Sequence, residues 1–266
     1  MQDIYAEMIA VSQDIAASFP APRFYTCCSH WLHLSRSLFS KDDSVLRCRA
    51  IVQRELKNNY GHGLNHAEKV AVEAGALAYA ESAMLPGSNQ HRMGILVQMA
   101  GLFHDLRRGE KDHARSSAAA AEKILKEFPL PPEDEGIIVE AIANHEAFVE
   151  PKPLGSSLGQ RVSDALYDAD KFRWGPDNFT VTLWEMLRFS QSPMVRLIRR
   201  FPRGMEGIAR IKGTFRTETG KRYGPEFIDL GLEIGKRIYQ FLQERFATEL
   251  AGEKTDKEIK DKGTEK

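Results

Sequence analysis

The sequence predicts an all-α fold, a bundle of helices with extra helices at its N- and C-terminal ends. Apolar residues recur at intervals of three and four along most of the chain, which places them on one face of a helix. The alternation typical of strands is missing, although residues 211–224 could hold a short hairpin. With 42% hydrophobic residues in a chain of 266, there are enough apolar side chains for a core.

The pattern of helices and breaks divides the chain into four sections. Residues 1–44 form a helical extension that could cover a pocket, form a homodimer contact or only pad the bundle. Residues 45–190 form the helical core, and the helices of 191–250 pack on it. Residues 251–266 are charged and nearly free of apolar side chains, which predicts a disordered tail.

Each helix is predicted from an apolar stripe bounded by Pro, Gly or capping residues. The stripe that begins at Asn65 consists largely of alanine and valine, and small residues allow neighbouring helices to pack closely. The predicted helices, with approximate bounds, are 1–19, 24–40, 45–58, one starting at 65, 91–106, 113–128, 133–145, 160–172, 177–190, 193–201 and 226–247.

Composition limits the classes of partner. The 37 Lys and Arg residues balance 37 Asp and Glu residues, which argues against nucleic acid or an anionic membrane as a partner. The local cluster from Arg196 to Arg203 is best explained as an exposed basic helix face. The N-terminus does not look like a signal peptide, and Cys27, Cys28 and Cys48 do not form a disulfide framework. We therefore expect a cytoplasmic protein without a membrane partner.

A histidine and an aspartate, His104-Asp105, end the apolar helix of residues 91–106. Burying these groups is unfavourable unless they are paired or bind a metal, although a helix end can also simply reach solvent. A lone histidine on an apolar face is more often a hydrogen-bonded core residue than a ligand. Four further residues of ligand type adjoin apolar stripes or begin helices: His66, His113, His145 and Asp170. Such groups converging from several helices are typical of metal sites in helical bundles.

Three segments, in this order, resemble the HD-domain superfamily of metal-dependent phosphohydrolases. They are Gly61-His62-Gly63-Leu64-Asn65-His66, Leu102-Phe103-His104-Asp105-Leu106 and Ala165-Leu166-Tyr167-Asp168-Ala169-Asp170. The resemblance covers roughly residues 45–190 and implies a helical bundle of the HD-domain type. It also implies that a divalent metal is held by His66, His104, Asp105 and Asp170, with Asp170 rather than Asp168 as the last ligand.

The resemblance leaves the number and identity of the metals open, and the expected ions are Mn, Fe, Co, Ni, Mg or Zn. Members with two metals carry further histidines on the two helices after the His-Asp segment, and His113 and His145 hold similar positions. The short segment between Asp105 and His113 favours a single metal. In that arrangement His145 would contact phosphate or water.

The activity implied by the resemblance is hydrolysis of a phosphate ester or anhydride of a small molecule, with a nucleotide as the expected substrate. Asp105 would orient the attacking water, and Arg108, Lys171 and Arg115 would face the phosphate charge. After Asp170 the chain continues Lys171-Phe172-Arg173-Trp174-Gly175, unlike many relatives. The pocket wall is therefore expected to differ, and the substrate of a relative cannot be transferred.

Two other functions stay open at this point. Some members of the superfamily are di-iron oxygenases, and this activity would require both His113 and His145 to bind metal. A non-catalytic signalling or binding module could also retain the helical fold. The complete set of histidine and aspartate ligands counts against that last alternative.

Overall fold

The computed structural model describes residues 4–55 and 63–251, and within these ranges the chain is helical without a strand. The predicted all-α class is therefore confirmed. The first part of the HD-like segment, Gly61-His62, and the predicted tail after Ala251 lie outside the described residues. The helices are α1 (Ile4–Ala17), α2 (Phe24–Cys27), α3 (Ser29–Lys41), α4 (Asp43–Glu55), α5 (Leu64–Glu81), α6 (Gly87–Phe103), α7 (His113–Leu125), α8 (Pro132–Ala143), α9 (Ser157–Phe172), a π-helix (Asn178–Thr182), α10 (Leu183–Ser190), α11 (Met194–Ala209), a 3-10 helix (Arg210–Gly213) and α12 (Glu218–Arg245).

The centre of the fold is the packing of α5 against α6 and α9, with α8 on the other side of α6 and α9. Small residues allow the close approach of α5 and α6. A methyl group at Gly101 of α6 would lie 2.7 Å from the Cα atom of Ala71 of α5, so the two backbones are nearly in contact. This contact fixes how the first turn of α5 meets the last turn of α6.

The N-terminal helices pack on the same hydrophobic core. Helix α3 lies along α5, and α1 contacts the π-helix, α10 and α12. Trp184 of α10 is buried, and its indole Nε1 donates a hydrogen bond to Ser12 Oγ at 2.9 Å, which joins α10 to α1. The single helix predicted for residues 24–40 is interrupted at Cys28, so it forms α2 and α3 instead.

The hairpin considered for residues 211–224 is wrong. These residues form the 3-10 helix and the first turns of α12, which begins well before the predicted residue 226. Thr217 caps α12, because its Oγ1 accepts a hydrogen bond from Gly220 N at 2.8 Å. Helix α11 also continues past Pro202, where the prediction ended it, because its apolar face extends to the buried Ile208.

None of the described helices combines the length and apolar character needed to cross a membrane.

Candidate metal centre

His66 and His104 meet where the start of α5 faces the end of α6. His66 lies in the first turn of α5, and His104 directly follows the last residue of α6. The close packing of the two helices brings the two Nε2 atoms to 3.2 Å. Both side chains are buried, so two ring nitrogens face each other in an interior position. Such an arrangement needs a proton or a cation between the rings.

Backbone carbonyls fix the orientation of two of the imidazoles. His104 Nδ1 lies 2.7 Å from Gly101 O, and His145 Nδ1 lies 2.6 Å from Ile142 O. Because a carbonyl oxygen only accepts, each Nδ1 must carry the proton and donate. In both rings Nε2 is therefore the atom directed toward the cluster. Metal-binding histidines are held in the same way, with the second ring nitrogen donating to a carbonyl or carboxylate.

Asp105 lies between two groups of histidines and presents one oxygen to each. Its Oδ2 is 3.4 Å from His104 Nε2 and 3.7 Å from His66 Nε2. Its Oδ1 is 3.6 Å from His145 Nε2 and 3.8 Å from His113 Nε2. The carboxylate is buried, with 2% of the side chain exposed. A single carboxylate thus connects two sets of nitrogen ligands.

Asp170 completes the first set from the last turn of α9. Its Oδ1 lies 3.4 Å from His66 Nε2 and 3.6 Å from His104 Nε2. Its Oδ2 accepts a hydrogen bond from Lys171 Nζ at 2.5 Å. Lys171 is itself buried, with its ammonium group over the rings of Tyr167 and Trp174. Lys171 therefore holds the carboxylate of Asp170 from the side opposite the histidines.

His113 reaches the cluster because the segment before α7 is coiled. Consecutive turns follow α6, with Arg108 N donating to Asp105 O at 3.0 Å and Arg107 N donating to Ser117 Oγ at 3.0 Å. These turns bring the first residue of α7 back beside Asp105. Arg108 Nη1 donates to His113 Nε2 at 2.8 Å, and it lies 3.8 Å from Asp105 Oδ1. The short connection therefore does not keep His113 away from Asp105.

Electrostatics favour the protonation states that metal ligands need at four residues of the cluster. Burial lowers the pKa of His66, and burial together with Arg108 and His145 lowers the pKa of His113 to about 4. Burial alone would raise the pKa of Asp105 and of Asp170, but His104 and the nearby cations hold both well below their usual range. The two imidazoles are thus neutral and the two carboxylates ionised. His104 differs: although burial lowers its pKa, Asp105 and Asp170 raise the pKa to about 10, so this imidazole carries a proton that a bound metal would displace.

Two buried atoms of the cluster have no hydrogen-bond partner in the described structure: Asp105 Oδ1 and His145 Nε2. At 3.6 Å they are too far apart to bond to each other. With Nδ1 of His145 donating to the Ile142 carbonyl, Nε2 is the ring atom that faces the anionic oxygen. A buried polar atom that lacks a partner is unfavourable, and a bound cation would satisfy both atoms at once.

Three overlapping sets of these residues have potential ligand atoms that lie within 4.8 Å of one another. The sets are His66, His104 and Asp105; His104, His145 and Asp170; and Asp105, His113 and His145. Every residue predicted from sequence as a metal ligand is thus in one cluster. The donors are imidazole nitrogens and carboxylate oxygens, a combination that transition metals favour over calcium. The buried cluster can therefore hold a metal ion.

The remaining predicted site residues, Arg108 and Arg115, line two different cavities. Arg108 borders the cluster and also lines a cavity of about 380 Å³ that reaches His66 and Asp170. Arg115 is exposed on α7 and lines another cavity, together with Asn144 and Glu150. Arg200, which the sequence assigned to an exposed basic face, lines the same cavity as Arg108.

Most residues of the cavity wall were not predicted from the sequence. The wall comes from the end of α9, the π-helix, α10 and α11, including Arg173, Trp174 and Phe179. The only signal available was the unusual continuation after Asp170, which indicated a different pocket wall without showing its composition.

Comparison of the chain with family models, with curated proteins and with solved structures finds no match. The helical fold and the buried histidine–aspartate cluster are compatible with an HD domain.

Proposed function

We propose that this chain is a metal-dependent phosphohydrolase of the HD-domain type, which cleaves a phosphate ester or anhydride of a small molecule. The observation that supports this proposal most strongly is the position of Asp105, with one oxygen toward His66 and His104 and the other toward His113 and His145. The unpartnered Asp105 Oδ1 and His145 Nε2 give independent support for a cation between these groups.

The residues fit one cation at His66, His104, Asp105 and Asp170 and a second at Asp105, His113 and His145. We therefore prefer two metal ions over the single ion favoured by the sequence. Divalent cations at these positions would lower the pKa of a bound water and polarise a phosphoryl oxygen. Arg108 now donates to His113 Nε2, and in a two-metal state its guanidinium would leave this nitrogen.

The side chains of the protein have distinct proposed roles. Asp105 orients the attacking water and can accept its proton, since its carboxylate lies at the centre of the cluster. Arg108, with 31% of its side chain exposed at the edge of the cluster, is placed to stabilise the charge of the phosphoryl group. Lys171 is too deeply paired with Asp170 to contact substrate, so we assign it to positioning of that ligand. We assign no role to Arg115.

The proposal is tested by metal analysis of the purified chain followed by phosphate-release assays with Mn, Mg, Co and Ni. Nucleotides and simple phosphate esters serve as substrates. We expect His66→Ala and Asp105→Ala to abolish phosphate release. His91→Ala is the matched control, because His91 is exposed on α6, the helix that precedes His104. Absence of metal, or equal activity in all variants, would contradict the proposal.

A di-iron oxygenase is the second candidate, and the approach of His113 and His145 to the same oxygen of Asp105 favours it. Two iron atoms per chain, together with substrate-dependent oxygen consumption and no phosphate release, would promote this candidate over hydrolysis. A protein that binds metal but is inert in both assays would instead indicate a non-catalytic module.

A further inference from the structure

The cavity beside the histidine–aspartate cluster has a polar end and an apolar end. His66, Asp170 and Arg108 form one end, and they are polar or charged. Most of the remaining wall is apolar and comes from helices outside the cluster. Its main apolar residues are Trp174, Phe179, Leu183, Met186, Phe201 and Met205. With a volume of about 380 Å³, the cavity is within the range of small-molecule sites in proteins.

The π-helix that forms part of this wall is itself an indication of function. It spans Asn178–Thr182 and contributes Asn178, Phe179 and Thr182 to the cavity. A π-helix is rare and places one extra residue in a turn, and such elements occur often at functional sites. Here the irregular turn lies between α9, which carries Asp170, and α10. It therefore contributes three residues to the cavity next to a proposed metal ligand.

Few polar groups of the wall are free to recognise a ligand. Arg173 lines the cavity, but its two Nη atoms donate to Asp177 and Glu73, which leaves Nε as its donor without a partner among the described residues. Arg200 is exposed and lines the cavity, so it joins Asn178 and Thr182 as a polar side chain along a wall that is otherwise mostly apolar. A nucleoside brings several ring nitrogens, exocyclic groups and hydroxyls, each of which loses water on binding and needs a partner. An apolar group needs no hydrogen-bond partner when it is buried.

We propose that the substrate of this site is a monophosphate ester of an apolar alcohol, an inference that rests on the hydrolase function proposed above. The phosphate lies at the cluster next to Arg108, and the hydrocarbon body lies among Phe179, Met186 and Phe201. Water supplies the oxygen that bonds to phosphorus, the bond between phosphorus and the ester oxygen breaks, and a proton goes to that oxygen. The products are inorganic phosphate and the alcohol.

Chain-length dependence tests this proposal in the full chain. The rate of phosphate release is measured for ethyl, butyl and hexyl phosphate and for AMP. We expect kcat/KM to rise by roughly fourfold for each added methylene, the effect of burying one such group. Hexyl phosphate should also be a better substrate than AMP. A flat series, or AMP preferred over hexyl phosphate, would overturn the proposal.

A binding experiment separates this proposal from hydrolysis itself. The affinities of ethyl, butyl and hexyl phosphonate, which cannot be hydrolysed at the phosphorus–carbon bond, are measured by calorimetry. Affinity that rises with chain length while no ester is cleaved would remove the hydrolase and retain the apolar ligand class. If esters are cleaved but neither the cleavage rate nor the phosphonate affinity depends on chain length, the hydrolase function is retained and the apolar ligand class is overturned.

Two glycines of α11 supply matched variants. Gly204 lines the cavity and Gly207 does not, and an added Cβ would meet no atom within 4 Å at either position. Gly204→Leu should therefore reduce the affinity of hexyl phosphonate by about tenfold or more, while it changes that of ethyl phosphonate less. Gly207→Leu should leave the series unchanged. Equal effects of the two variants would contradict the placement of the hydrocarbon body.

Discussion

Asp168 and Asp170 lie two residues apart on α9 and are both buried, yet their surroundings differ completely. Asp168 faces the start of α12, where Oδ1 accepts from Arg216 N and Oδ2 accepts from Thr217 N and Thr217 Oγ1, all within 2.8 Å. Asp170 faces His66 and His104. One aspartate has a full set of donors from the protein, whereas the other belongs to a cluster with atoms that lack partners.

This difference separates a structural role for Asp168 from the metal-binding role proposed for Asp170. A buried carboxylate that accepts several hydrogen bonds stabilises the fold, and removal of one partner leaves the others unpaired. The cluster around Asp105 and Asp170 instead brings two anions and several ring nitrogens together, a set of groups that can bind a cation. Substitutions at Asp168 should therefore affect stability, and substitutions at Asp105 and Asp170 should affect metal binding and activity.

The largest effect is expected for Asp105→Asn, which keeps the size of the side chain and removes its charge. Metal binding should be lost, and activity should fall by roughly three orders of magnitude. The melting temperature of the metal-free protein should fall only modestly, because the amide keeps the size of the side chain while the attraction of the carboxylate to His104 and Arg108 is lost. Calorimetry measures metal binding and the melting temperature, and phosphate-release assays measure activity. A large loss of stability in the metal-free variant would place Asp105 with the structural aspartates.

For Asp168→Ala we expect a loss of stability without a loss of metal binding. The variant should lose about 2–4 kcal/mol of unfolding free energy, because buried donors at the start of α12 lose their acceptor. Metal content should be retained below the unfolding temperature. Denaturant unfolding gives the free energy, and Asp164→Ala on the same helix is the control, since Asp164 is only partly buried. Loss of metal from folded Asp168→Ala would break the distinction between the two aspartates.

A smaller loss of stability is expected for Gly220→Ala. An added Cβ would lie 1.9 Å from Asp168 Oδ2, so the carboxylate or the helix must shift. We expect a loss of about 1–3 kcal/mol of unfolding free energy. Gly136→Ala in α8 is the control, because a Cβ there meets no atom within 4 Å and should stabilise the protein by about 0.5–1 kcal/mol. Thermal unfolding of both variants checks the prediction, and equal melting temperatures would contradict it.

Of the two substitutions at the cluster, Arg108→Met is expected to have the smaller effect on activity. Arg108 Nη1 donates to His113 Nε2, so its removal frees this nitrogen for a second metal ion. Metal content per chain should rise toward two at a fixed, subsaturating concentration of free metal, whereas kcat/KM should fall by roughly tenfold because phosphate loses a cationic partner. Elemental analysis and steady-state kinetics measure the two changes. Unchanged metal content would argue that Arg108 does not compete at His113.

Local patterns were sufficient for the fold class and for the ligand-type residues. Helical spacing predicted most helices, and His66, His104, Asp105 and Asp170 were identified from three short segments that the structure brings together. The end of α6 at Phe103 was also close to the prediction. These features depend on neighbours in sequence, so the sequence contains the information directly.

The remaining features depend on packing between distant segments. The number of residues between Asp105 and His113 did not show that consecutive turns bring His113 back to Asp105. The start of α12 lies beside Asp168 because Thr217 N donates to Asp168 Oδ2, a contact between residues 49 positions apart. The apolar cavity wall comes from α10 and α11, whose inward faces are set by which helices they meet.

The most direct test is the metal content of three proteins, the wild type, Asp170→Asn and Asp168→Asn, after reconstitution with manganese or iron and removal of excess ion. We expect at least one metal per chain in the wild type and in folded Asp168→Asn, and a marked loss in Asp170→Asn. A wild-type protein without metal, or equal metal content in all three proteins, would contradict the assignment of the histidine–aspartate cluster as a metal centre.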